Sequence, residues 1–257
     1  MQDKKGGANV QRIALGLFSI LVLGLALAYS AGWPPFDVPA KDSKPVTAVI
    51  ATDYCVFVDG TGSTTDDRKS AWPDQAKAFV KRLNFGDRIW VYPMDDMTSG
   101  QAALVSESIP EFDPTAGATE QQLAKGRLKE ARKKAEDALL GLIAGHSPAR
   151  TTDVFGALSR IRRSPNRKGT LVLFSDSLDS HFLERTCVTP ENQSTLLSQA
   201  DSLMGGARGL LDGVDVKWVT PARLGRPGCN TLPELRSFWK AVVTAQGGKL
   251  DFDPNVF

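Results

Sequence analysis

Histidine and cysteine are scarce in this chain, whose 257 residues include two histidines and three cysteines. These residues do not cluster at the spacing of a zinc site. Neither histidine is accompanied by the Gly-x-Ser-x-Gly motif of a hydrolase, and the glycines after Asp59 lack the Lys-Ser/Thr pair of a phosphate-binding loop. We therefore predict no catalytic residues, no enzymatic activity and no small-molecule substrate.

Net charge is almost absent beyond the first 12 residues. Those residues hold three basic and one acidic side chain, which leaves 28 basic and 28 acidic residues in the rest of the chain. A neutral domain has no general electrostatic attraction for the phosphate backbone of a nucleic acid. We therefore expect no nucleic-acid partner.

Charge is also missing from residues 13–36. As a helix, Ile13–Trp33 would be about 31 Å long, enough to cross a hydrocarbon core of about 30 Å once. This predicts a membrane anchor, with residues 1–12 in the cytoplasm and the following domain on the periplasmic or extracellular side. Small-residue patterns at Ala26–Ala28 and Ala28–Ser30 also fit a cleaved signal peptide, although the apolar run is longer than usual for one.

The rest of the chain divides into a proline-rich stalk, residues 34–45, and one domain, residues 46–257. In that domain, short apolar runs alternate with amphipathic segments, which predicts an α/β fold with a doubly wound, mostly parallel sheet and helices on both faces. The predicted strands are Val46–Val58, Ile89–Tyr92, Ala103–Ile109, Thr170–Phe174, Val214–Val219 and Leu250–Phe252. The predicted helices include Glu120–Ala144, Val154–Arg162, Leu196–Leu211 and Pro233–Ala245.

The predicted helix Glu120–Ala144 has two contrasting faces. Apolar residues recur along one face at helical spacing. Basic residues occupy the other face: Lys125, Arg127, Lys129, Arg132, Lys133 and Lys134. Such a face is either a solvated helix surface or a docking surface for a partner.

Three fragments carry side-chain oxygens that could converge. Asp59-Gly60-Thr61-Gly62-Ser63 follows a predicted strand, Thr151-Thr152-Asp153 opens a predicted helix, and Ser175-Asp176-Ser177 follows another strand. Residues i, i+2 and i+4 of an extended segment project to one side, so the first fragment can present three oxygens together. Ligands of doubly wound sheets bind outside the carboxyl ends of the strands, where the first and third fragments are expected.

The order of these fragments resembles the von Willebrand factor type A (VWA) family and its metal-ion-dependent adhesion site, written Asp-x-Ser-x-Ser, Thr and Asp. The matching residues are Asp59, Thr61, Ser63, Thr152 and Asp176. Thr61 replaces the first serine of the motif and keeps a hydroxyl. Thr152 fits the threonine position because an Ala-Leu pair follows at the expected offset, and Thr151 is the alternative. Ser177 stands where a glycine is common in the family.

The resemblance implies a protein-binding domain that holds Mg²⁺ or Mn²⁺. Such hard cations prefer oxygen ligands. An Asp or Glu carboxylate from a protein partner would complete the coordination. Two alternatives remain: a structural component of the cell envelope with a vestigial metal site, and a metal-dependent phosphoester hydrolase. The second requires another acidic residue two positions after Asp59, where Thr61 stands.

The three cysteines fall in two different contexts. Cys55 lies in an apolar strand and is expected to be a buried thiol. Cys187 and Cys229 lie in polar, loop-like segments and could form a disulfide, which would suit an exported domain. Two unrelated thiols are the other interpretation.

Overall fold

Apolar runs rich in β-branched and aromatic residues form the strands of a six-stranded sheet in the computed structural model. The sheet order is β3-β2-β1-β4-β5-β6, and all neighbours are parallel except β3, which is antiparallel to β2. The strands are β1 (Thr52–Asp59), β2 (Arg88–Met94), β3 (Val105–Ser108), β4 (Lys168–Phe174), β5 (Val214–Val219) and β6 (Lys249–Asp251).

The structure describes residues 50–60, 70–95, 100–145, 151–162, 164–180, 182–183, 186–206, 209–220 and 230–252. The predicted membrane anchor, the signal peptide and the stalk lie outside the described residues. Within those ranges, no helix has the length and apolar character needed to cross a membrane.

Helices pack on both faces of the sheet. They are α1 (Trp72–Arg82), α2 (Ala118–Ala144), α3 (Val154–Ser159), α4 (Gln193–Leu203) and α5 (Leu232–Ala245). α1 and α2 bury their apolar stripes against one face, mainly over β1 and β2, whereas α3, α4 and α5 share a core with the other face. The predicted fold class, a doubly wound and mostly parallel α/β sheet, is confirmed.

Two helices end earlier than the sequence predicts. α3 ends at Ser159, whereas the predicted helix continues to Arg162, and the difference is larger for α4. α4 ends at Leu203, whereas the apolar pattern predicts a helix that continues to Leu211. Gly205 and Gly206 follow with φ of 79° and 65°, a left-handed conformation that terminates a helix. The apolar side chains that follow are those of the turn leading into β5, where Leu211 is buried.

A buried ion pair fixes the edge of the sheet at which the parallel strands begin. Asp53 is fully buried, and it accepts hydrogen bonds from Arg167 Nε at 2.6 Å and from the Ser164 backbone N–H at 2.8 Å. Arg167 also donates to the Gly86 carbonyl, which ties the turn before β2 to the turn before β4. At the same edge Asp87 accepts from the Thr52 backbone N–H at 2.8 Å. These two carboxylates are therefore used for structure.

Replacement of Asp53 by Ala should lower the free energy of unfolding by about 3–5 kcal/mol, because it leaves the Arg167 guanidinium buried without its counter-charge. Urea denaturation of the full chain measures the change. Asp137→Ala is the matched control, since it breaks an exposed ion pair with Lys133 and should leave the stability almost unchanged. Equal losses in the two variants would contradict this account.

Candidate functional site

The candidate site lies at the carboxyl ends of β1 and β4, where the strand order reverses. β1 has β2 on one side and β4 on the other, and this position in a doubly wound sheet leaves a crevice beyond the strand ends. Asp59 is the last residue of β1, and Ser175, Asp176 and Ser177 directly follow β4. All four residues are fully buried.

A threonine from a distant part of the chain reaches the end of β1. The Thr152 hydroxyl lies 3.3 Å from each carboxylate oxygen of Asp59, although the two residues are 93 positions apart. The Ser175 hydroxyl donates to Asp59 Oδ2 at 3.1 Å from the neighbouring strand end. Carboxylate and hydroxyl oxygens of three chain segments therefore meet at one point, as the sequence predicts for Asp59 and Thr152.

The remaining predicted residues are placed as follows. Asp176 is next to Ser175, and its Oδ1 accepts a hydrogen bond from the Leu178 backbone N–H at 3.0 Å. Thr61 and Ser63 lie outside the described residues, so their roles stay predictions. Of the two candidate threonines, Thr152 contacts Asp59 through its hydroxyl. The buried Thr151 hydroxyl has no hydrogen-bond partner within the described ranges.

The segment after β4 holds Thr152 in place by reciprocal hydrogen bonds. The Thr152 backbone N–H donates to the Ser180 hydroxyl at 2.9 Å, and the Ser180 backbone N–H donates to the Thr152 carbonyl at 3.0 Å. Asp179, which is 1% exposed, accepts from the Val154 backbone N–H at 2.9 Å and from Phe182 at 3.0 Å. Asp179 therefore binds the N-terminus of α3, the helix that directly follows the threonine.

Two indole groups hold the turn between Ser175 and Ser177. Trp218 Nε1 on β5 donates to the Ser175 carbonyl at 3.2 Å, and Trp239 Nε1 on α5 donates to the Ser177 carbonyl at 2.8 Å. Ser177 has a φ of 69°, a left-handed conformation that strains any residue other than glycine and explains why glycine suits this position. The turn is thus fixed by the core on which it rests.

The donor chemistry of the site fits a hard divalent cation. Asp59 and Asp176 offer carboxylate oxygens, Thr152, Ser175 and Ser177 offer hydroxyl oxygens, and oxygen is the ligand atom that Mg²⁺ and Mn²⁺ prefer. The buried Ser177 hydroxyl has no hydrogen-bond partner among the residues that the structure describes. Within those residues, no group of three or more His, Cys, Asp and Glu side chains could hold a metal ion. Any metal site here would therefore depend on hydroxyls as much as on carboxylates.

The structure adds three residues that the sequence did not assign to the site. Ser175 donates to Asp59, Ser180 accepts from the Thr152 backbone N–H, and Asp179 accepts from the Val154 backbone N–H at the start of α3. Ser175 belongs to the Ser-Asp-Ser fragment. Its proximity to Asp59 could have been predicted, because both residues were expected at the carboxyl ends of strands. No local pattern marks the bonds of Asp179 to Val154 and of Ser180 to Thr152, because these partners lie more than 20 residues earlier in the chain.

The cysteines differ in state. Cys187 is disulfide-bonded, whereas Cys55 is a free, fully buried thiol whose pKa is raised by burial to about 11, as expected for an unreactive core residue. Cys229 lies outside the described residues, so the pairing of Cys187 with Cys229 stays a prediction. Asn230, the residue after Cys229, supports the predicted pairing. Its side chain accepts from the Val188 backbone N–H at 2.6 Å and donates to the Thr186 carbonyl at 2.9 Å, so it bonds to the residues on either side of Cys187.

Comparison with known proteins gives only distant likenesses. No family model matches the sequence, and no curated protein matches it. Among solved structures, the chain is similar to a von Willebrand factor type A protein from Catenulispora acidiphila, with 17% identity over 80% of this chain and 40% of that one, at a TM-score of 0.41. It is also similar to the manganese-loaded TRAP protein of Plasmodium vivax, with 14% identity over 79% of this chain and 70% of that one, at a TM-score of 0.36.

A third similar structure is the minor pilin PilB of Streptococcus sanguinis, with 9% identity over 82% of this chain and 59% of that one, at a TM-score of 0.40. The chain spans only two fifths of the length of the Catenulispora structure. At these identities and TM-scores, none of the three structures bears on the site or the function of this chain.

The Asp179 carboxyl should make stability depend on pH. Burial raises its pKa from 3.8 to about 6; hydrogen bonds from backbone N–H groups oppose this increase, and the nearby Asp153 charge adds to it. A raised acid pKa stabilises the fold below pH 4, and this contribution is lost as the pH rises through 6.

Asp179→Asn removes this titration. The free energy of unfolding of the variant, relative to the wild type, should therefore increase by about 2 kcal/mol between pH 4 and pH 7. Denaturation of both full chains across this range measures the difference. A difference that does not change with pH would contradict the raised pKa, whatever the absolute stability of the variant.

Proposed function

We propose that this chain is a VWA-like protein-binding module whose strand-end site takes up Mg²⁺ or Mn²⁺ and presents it to a carboxylate of a protein partner. The observation that carries the proposal is the contact of the Thr152 hydroxyl with both carboxylate oxygens of Asp59. A threonine hydroxyl and an aspartate from separate segments, in the order of the adhesion motif, are the pair that such a site requires.

The five residues that would serve the metal are those of the motif. Asp59 and Asp176 would supply negative charge, and Thr61, Ser63 and Thr152 would supply neutral hydroxyl oxygens. A set with so few carboxylates leaves a bound cation electrophilic, so it would attract an Asp or Glu side chain of the partner. Ser175 and Ser180 would hold the ligands in position through their hydrogen bonds.

The role proposed is binding and not catalysis. The two carboxylates belong to a hydroxyl-rich set, and a phosphoester hydrolase would need a second acidic residue two positions after Asp59, where Thr61 stands. Turnover of p-nitrophenyl phosphate in the presence of Mg²⁺, lost on Asp59→Asn, would replace this proposal with the phosphoester hydrolase.

We also propose that the domain is exported and anchored by Ile13–Trp33. The uncharged run of residues 13–36 supports this, and the disulfide at Cys187 suits an oxidising compartment. Carbonate extraction of membranes tests the anchor, and protease accessibility in spheroplasts, whose cytoplasmic membrane is intact, tests the side on which the domain lies. Release of the chain by carbonate would contradict the proposed anchor, and protection of the domain from protease would contradict the proposed export.

Metal should stabilise the full chain against thermal unfolding. At about 100 times its dissociation constant, Mg²⁺ or Mn²⁺ is expected to add about 2.7 kcal/mol, and EDTA should reverse the effect. Asp59→Asn should abolish the shift, because it removes the charge at the centre of the site. Asp137→Asn, an equal change of charge at an exposed position of α2, should retain it. A wild-type chain without a shift, or an Asp59→Asn chain with a normal one, would overturn the proposal.

The role of the Thr152 hydroxyl in metal binding can be tested by two substitutions that each change one group of the side chain. Thr152→Ser keeps an oxygen at this position and should keep metal binding within about threefold. Thr152→Val keeps the shape but removes the oxygen, so it should weaken metal binding by at least about tenfold. Titration of Mn²⁺ by calorimetry measures both values. Equal binding by the two variants would mean that the hydroxyl contacts Asp59 for structural reasons only.

A further inference from the structure

A groove runs beside the first half of α2, away from the strand-end site. Its volume is about 430 Å³, and four cationic side chains line it: Lys125, Lys129, Arg132 and Lys133. Phe85 and Leu128 give it an apolar floor, and Glu136 is its one acidic side chain. Phe85 belongs to the segment that joins α1 to β2, so this α2 groove lies toward the edge where β2 begins, whereas Asp59 lies where β1 ends.

The charges of the α2 groove are largely unbalanced. Lys133 is paired with Asp137 at 2.9 Å, outside the groove. Lys125 and Lys129 form no ion pair with any described residue, and both are exposed. Arg132 donates from Nε to the Leu83 carbonyl at 3.1 Å, which caps the C-terminal end of α1, and its guanidinium forms no ion pair with an acidic side chain of the described residues. The groove therefore offers an excess of positive charge around an apolar floor.

The floor of the groove is apolar and packed against neighbouring side chains. The rings of Phe85 and Phe112 are paired with their centroids 4.9 Å apart, and Leu128 is buried at the edge of the α2 core stripe. Lys125, Lys129 and Arg132 follow one another at i, i+4 and i+7, so they form a row along one side of the helix. A row of cations beside an apolar channel is complementary to a segment that carries acidic residues on one side and apolar residues on the other.

We propose that the α2 groove is a second docking site, which binds an acidic amphipathic segment of a protein partner independently of metal. Mixed charge in and around the groove favours a peptide over a polyanion. Glu136 lines the groove, and Glu130 and Asp137 lie near it on the same helix. A nucleic acid or an anionic membrane would place negative charge against these residues, whereas a peptide places its carboxylates only where the lysines are.

The test uses the full chain and a labelled helical peptide with Leu and Phe on one face and Glu on the other. We expect this peptide to bind in EDTA, with an affinity that falls as salt is added. The same peptide with Gln in place of Glu should bind at least about fivefold more weakly. Lys129→Glu should also weaken the binding of the Glu peptide by about fivefold or more, because it converts an attraction into a repulsion.

Arg127→Glu is the matched control. It makes the same change of charge at an exposed position on the opposite side of α2, so it should leave the affinity unchanged. Equal losses of affinity in Lys129→Glu and Arg127→Glu, or no binding of the Glu peptide to the wild-type chain, would overturn the proposal. Stronger binding of single-stranded DNA, or of phosphatidylcholine vesicles with one quarter phosphatidylglycerol, that is lost on Lys129→Glu would also overturn it and assign the groove to a polyanion.

Discussion

The pairing of β1 with β4 is the constraint on which the site depends. Both strands are almost wholly buried, since each has a neighbour on either side and helices over its faces. Their parallel register places Val58 beside Phe174, so the residues that follow the two strands emerge together. Ser175 can reach Asp59 only because of this register, and Thr152 is brought to the same point by the segment that follows β4. A one-residue slip of β4 would turn every apolar side chain of that strand to the wrong face.

Acidic residues serve different purposes at the two edges of the sheet. At the edge where the strands begin, Asp53 and Asp87 are occupied by Arg167 and by backbone N–H groups that join the turns. At the edge where the strands end, Asp59 is contacted by hydroxyls, which are neutral and can turn their lone pairs to a cation. Aspartate therefore ties turns together at one edge, and at the other edge Asp59 meets the hydroxyls of the site for which we propose metal binding.

The sequence predicts the elements better than it predicts what holds them together. Apolar runs long enough for a strand identify β1, β4 and β5, and the bounds predicted for β5 are those observed. The contact between Asp59 and Thr152 was also predictable, because the motif order marks both residues, and their role as metal ligands stays a prediction. The bonds of Asp179 and Ser180 to the start of α3 were not, since each joins residues more than 20 positions apart and leaves no periodic signal. The end of α4 was missed because an apolar pattern continued past two glycines whose left-handed conformation ends the helix.

The two proposed surfaces recognise the same chemical group by different means. At the strand ends, a carboxylate of the partner would be bound through a metal held by oxygen ligands. In the α2 groove, it would be bound directly by Lys125 and Lys129, with the apolar floor supplying further affinity. Chelation removes the first interaction and leaves the second, whereas salt screens the exposed lysines far more than a bound ion at a buried site. A partner that binds both surfaces would lose affinity in two separable steps, one on chelation and one on addition of salt. Because the two surfaces lie toward different edges of the domain, one extended partner or two different partners could bind them at the same time.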